Sequence, residues 1–229
     1  MARPDSRATV RTLLADHRRT YAQDAGIRLK DTPQPLYQLL VLACLLSARI
    51  RATIAVAAAR ALFGAGMRSA RSMADATWQL GVPPPKVGGG STLGEGGYRR
   101  YDERTSTMLG EGAEQVIDAY GGDLRRLRKE ADGDLDELRG LLRKVPGIGP
   151  AGADIFLREA QGVWPEVAPY FDQKTLDGAE RLGLPRDPGK PADLVGKEEL
   201  PALAAALVRA ALDRDVVDEV LAAADKSDR

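Results

Sequence analysis

The chain has 229 residues, 44% hydrophobic and 29% charged, an ordinary balance for one large globular domain or two small ones. One cysteine, Cys44, excludes an internal disulfide and a four-cysteine cluster. The 33 basic and 33 acidic residues cancel, yet residues 1–71 hold 12 basic and 4 acidic side chains, net +8, which permits a basic face on a neutral protein.

The first segment, "DSRATVRTLLADHRRTYAQDAG", starts on Asp/Ser, aligns Val10, Leu13 and Leu14, and stops at a glycine, which predicts a helix. Its His17, the only histidine, reads as a surface residue. With no apolar core in "MARPDSRATVRTLLADHRR" and no apolar run near the roughly 20 residues of a membrane span, a cytoplasmic location without membrane contact is expected. "QPLYQLLVLACLLSARI" is apolar nearly all round and predicts a central buried helix, with Cys44 as a small buried hydrophobe. "ATIAVAAARALFGAG" and "SARSMADATWQL" predict two more helices. The Gly81–Gly97 stretch, with three consecutive prolines and a glycine triplet, predicts a loop. "YDERTSTMLGEGAEQVIDAYGG" returns to helix, with Met108, Leu109, Val116, Ile117 and Tyr120 apolar and a glycine stop.

"DLDELRGLLRKV" and "GPAGADIFLREAQG" then flank "PGIG". Leu138, Leu141, Leu142 and Val145 fall at i, i+3, i+4 and i+7, and Ala153, Phe156, Leu157 and Ala160 repeat the spacing. Two amphipathic helices can therefore pack across a tight turn. Gly147 and Gly149 can both take positive φ, Ile148 can plug the turn, and Pro150 suits a first helical turn. The second helix then begins with free N–H groups, an anion site suited to a polymer phosphate. "DQKTLDGAERLG", a connector Leu184–Gly196, "EELPALAAALVRAALD" and "DVVDEVLAAAD" complete the chain. Period-2 strand patterns are missing, and the fold class is all-α.

"LRGLLRKVPGIGPAGADIFLREA" resembles the helix-hairpin-helix of DNA glycosylases related to endonuclease III. Three more segments resemble that superfamily in its order: "PLYQLLVLACLLSARI", "GYRRYDERTSTMLGEGAEQVIDAYGGDL" and "GVWPEVAPYFDQKTLDGAERLG". The resemblance covers Pro35 to Gly183. It implies two helical domains: 30–163, a helical barrel with the hairpin at about 134–162, and a second formed by 1–29 and 164–229. It implies a monomer on duplex DNA with a damaged base. Val145, Gly147, Ile148, Gly149 and Ala151 would hold phosphate, with a monovalent cation at the turn, and Asp172 would be the catalytic carboxylate. Its charge would stabilise the cationic sugar that forms as the base leaves, and the helix behind it favours the ionised form.

The sequence departs from that pattern in four places. Ala151 stands where bifunctional relatives have the lyase lysine; Lys174 is the conceivable substitute. One cysteine cannot hold the iron–sulfur cluster of many relatives. The Gly81–Gly97 stretch replaces a helix. Arg49 stands where relatives place a glutamine in the gap left by the flipped base. Arg51, Arg99, Arg100 and Arg104 are further phosphate-contact candidates. No zinc or magnesium cluster is legible. The expected function is a monofunctional base-excision glycosylase. The alternatives are a catalytically inactive helix-hairpin-helix DNA-binding protein and a helical interaction module.

Overall fold

A computed structural model describes residues 5–48, 50–80 and 102–227, without the side chains of 77–80, 102–104 and 227. The predicted Gly81–Gly97 loop, Arg49, Arg99, Arg100 and the Arg104 side chain lie outside the described residues. Among the described residues there is no strand, as the all-α class requires. The helices are α1 Ser6–His17, α2 Tyr21–Asp24, α3 Pro33–Leu46, α4 Ala52–Gly64, α5 Ala70–Leu80, α6 Asp102–Tyr120, α7 Leu124–Glu130, α8 Leu135–Lys144, α9 Pro150–Ala160, α10 Gln173–Arg181, α11 Gly189–Ala192, α12 Leu200–Leu212 and α13 Arg214–Ser227. No described helix is long and apolar enough to cross a membrane.

The chain divides into two compact units, Ala22–Phe156 and Met1–Tyr21 with Leu157–Arg229. In the first, α3 is buried on all sides, from Leu36 and Tyr37 through Leu39–Leu45, as its composition predicts. Helices α4 and α6 pack against it, and α5 packs against α6. Burial pushes the Cys44 thiol from its ordinary value of 9.0 up to about 12.

In the second unit α12 is the centre, packed by α1, α10 and α13. Val10, Leu13, Ala179, Leu203, Leu207 and Val220 belong to its core. Glycine in mid-helix normally costs about 1 kcal/mol relative to alanine, but Gly178 is needed here. A Cβ at that position would lie 1.9 Å from the Leu207 carbonyl oxygen, so α10 and α12 meet backbone to backbone.

Two expectations are corrected. The first segment is not one helix: α1 ends at His17 and α2 begins at Tyr21. Arg209 donates through Nη1 to the His17 carbonyl at 3.2 Å, and the Tyr21 N–H donates to Glu159 Oε1 at 2.7 Å. These side chains satisfy groups that a continuous helix would pair internally. The guanidinium of Arg209 also sits 4.7 Å over the Tyr21 ring. The Leu184–Gly196 connector is not wholly irregular, because α11 forms one helical turn inside it.

Candidate functional site

The hairpin is built by α8, residues 145–149 and α9. Asp134 caps α8 by accepting from the amides of Asp136 and Glu137 at 2.9 and 3.0 Å. Leu138, Leu141, Leu142, Val145, Ala153 and Phe156 are buried, so the predicted apolar stripes lie inward. Ile148 is 4% exposed and plugs the turn. Its amide donates to the Val145 carbonyl at 3.0 Å, closing the turn. Arg139 Nη2 donates to Asp154 Oδ1 at 3.0 Å and ties α8 to α9.

The two glycines serve different ends. Gly147 has φ +85°, and a Cβ there would stand 2.8 Å from Cys44 Sγ. Gly149 is not at positive φ, contrary to the expectation, and a Cβ there would meet nothing within 4 Å. Gly149 is instead the exposed residue before α9, and its carbonyl accepts the Ala153 amide at 3.0 Å. Pro150 and Ala151 are also exposed. The first amides of α9, at Ala151 and Gly152, have no intrahelical acceptor by helix geometry, and Pro150 has no N–H to offer.

Two residues beside the turn were not selected from the sequence. Arg143 and Lys144 are exposed in the last turn of α8 and have no carboxylate partner among the described residues. Their place immediately before "VPGIG" was the available signal. In the turn, the Val145 and Gly149 carbonyls accept the amides of Ile148 and Ala153 at 3.0 Å each. Arg51 is exposed at the residue before α4, with no carboxylate partner among the described residues.

Asp172 lies in the other unit. Its side chain is 9% exposed. As the N-cap of α10 it accepts the Thr175 amide through Oδ1 at 3.1 Å, and Thr175 Oγ1 donates back to the Asp172 carbonyl at 2.6 Å. Oδ2 faces Arg158 Nε at 3.4 Å, and the Arg158 side chain is also 9% exposed. Nε is buried without a hydrogen bond in this geometry, so the pair is an ion pair with room to tighten. Gln161 fixes the intervening chain. Its Nε2 donates to the carbonyls of Arg158 and Tyr170 at 2.7 and 3.2 Å, and its Oε1 accepts the Tyr170 amide at 2.9 Å. Asp172 is therefore a largely buried carboxylate held by a helix cap beside the Arg158 guanidinium. Lys174 is exposed, and its Nζ lies 3.6 Å from Asp177 Oδ2. Asp177 also accepts from Gln173 and Arg186, whose donors hold its carboxyl below the usual range.

No family model, curated protein or solved structure matches the chain.

Proposed function

We propose that the protein is a base-excision DNA glycosylase that hydrolyses the N-glycosidic bond of a damaged or mismatched base and leaves the sugar–phosphate chain intact. The observation that carries this reading is Asp172: a largely buried carboxylate with one oxygen on a helix N-terminus and the other 3.4 Å from Arg158 Nε. A carboxylate at this place would stabilise an oxocarbenium-like sugar electrostatically. The hairpin offers the N-terminus of α9, where Ala151 is exposed, and the adjacent exposed Arg143 and Lys144 for the phosphate backbone. Ala151 supplies no amine where bifunctional relatives have the lyase lysine, which supports water as the nucleophile.

One observation favours the alternative, an inactive helix-hairpin-helix DNA-binding protein: Oδ1 and Oδ2 of Asp172 are both already engaged. Duplex oligonucleotides with defined lesions, incubated with protein and then treated with alkali to break abasic sites, separate the two. Alkali-dependent cleavage that disappears in Asp172→Asn supports the glycosylase. Duplex binding with no cleavage at any lesion supports the inactive protein, and no binding removes both.

A further inference from the structure

The basic start of the chain is not used by the hairpin. Arg7, Arg11 and Leu14 on α1 and its C-cap residue Arg18 fall at i, i+4, i+7 and i+11, which places them on one face. Together with Val10, Ala15, Leu194, Val195 and Glu199 they line an open groove of about 450 Å³. Its floor is apolar: Val10 is buried, and Leu14, Leu194 and Val195 are half-buried against the core of their unit. Its rim is cationic. Arg7, Arg11 and Arg18 are exposed, and Arg18 lies 3.9 Å from Glu199. Arg7 and Arg11 have no carboxylate partner among the described residues. The two ends thus differ, with the charge uncompensated at Arg7 and Arg11 and balanced at Arg18.

We propose that this groove is a docking site for an acidic amphipathic helix of a partner protein. Charge complementarity selects the occupant. A helix with an apolar stripe covers the floor, and carboxylates beside the stripe meet Arg7 and Arg11. From Arg7 to the cap residue Arg18 the arginines extend over about 16 Å, or three helical turns. Duplex DNA is the poorer fit, because phosphates gain nothing from the apolar floor. The proposal is independent of the glycosylase reading.

The test is fluorescence anisotropy with the full chain. The probe is a labelled peptide of about 18 residues, long enough to form a helix on binding, with leucines at i, i+3, i+4 and i+7 and glutamates beside them. The expected result is saturable binding, weakened several-fold when salt rises from about 50 to about 300 mM, and about tenfold or more in Arg7→Glu/Arg11→Glu. Ala15→Glu, at an exposed lining position, is expected to weaken it as well, and circular dichroism on both variants checks folding. Equal binding of a scrambled peptide, or of one with lysine for glutamate, overturns the proposal. So does no binding, or a peptide affinity that both variants leave unchanged. A charge-reversal variant that loses duplex affinity while the peptide fails to bind assigns the face to DNA and likewise overturns it.

Discussion

Asp172 does two jobs at once, and they can be separated by substitution. Asparagine keeps the oxygen that caps α10 but removes the charge beside Arg158; alanine removes both. A buried ion pair broken on one side is destabilising because it leaves a cation without compensation. Both variants are therefore expected to be less stable than the parent in urea unfolding, with Asp172→Ala lower than Asp172→Asn by about 1 kcal/mol, the value of a cap. Equal midpoints for the two variants would show that the cap contributes nothing. Cys44 offers a second check. Its thiol is pushed up to about 12 because burial disfavours the thiolate. The folded pKa is above the unfolded one, so the stabilisation is complete below about pH 9 and is lost as pH rises from there towards 12. Native protein at pH 8 should resist alkylation, and denaturant should make Cys44 reactive; rapid labelling of folded protein would contradict its burial. The cap position of Asp172 was legible in the sequence because it stands before a helical pattern; a catalytic role comes only from the resemblance. Arg158 was not, because "FLREA" reads as plain helix. Its pairing depends on the path of residues 162–171, which Gln161 sets by tertiary hydrogen bonds.

Helices were legible where the apolar period is strong, as in α8 and α9, or where the segment is apolar nearly all round, as in α3. The break between α1 and α2 was not. No glycine or proline marks it, and the groups that hold it, Glu159 and Arg209, lie 138 and 192 residues away from the backbone they bind. The hairpin glycines show the same limit. The sequence makes Gly147 and Gly149 equivalent, but only packing against Cys44 and a left-handed φ make Gly147 irreplaceable. Gly147→Ala is expected to cost about 2–4 kcal/mol from positive φ and crowding together, and Gly149→Ala much less. A thermal melt of the two variants checks the order, and equal shifts would contradict the turn geometry. Gly178→Ala tests the other unit. Its methyl group would enter the Leu207 carbonyl, and backbone cannot swing away as a side chain does. A loss of about 3 kcal/mol or more, or failure to fold, is expected. A neutral result would mean that α10 and α12 are farther apart than described.

At the scale of the whole molecule, zero net charge conceals where cations lie. The sequence shows the +8 of residues 1–71, but not that Arg7, Arg11 and Arg18 share a face, or that Arg143 and Lys144 flank the hairpin turn. Those placements follow from helical phase and from what each helix buries. If the hairpin is the DNA contact, affinity for undamaged duplex arises from about 3–6 phosphates. Log affinity should then fall with log salt at a slope of roughly −3 to −5. Charge reversal at Arg143 and Lys144 should flatten that slope by about 2, since each phosphate contact contributes roughly −0.9. Base removal adds a further constraint. On the proposed water mechanism no Schiff base forms, since position 151 carries no amine. On a lesion that the protein excises, the labelled strand should therefore stay full length with protein alone and break only with hot alkali. Borohydride should trap no covalent complex. Asp172→Asn should lose at least about 10²-fold in rate while keeping its duplex affinity, if the charge it removes acts on the sugar as proposed. Trapping by borohydride would overturn the water mechanism. Loss of that trapping in Lys174→Ala would then assign the nucleophile to Lys174, showing that its contact with Asp177 gives way when DNA binds.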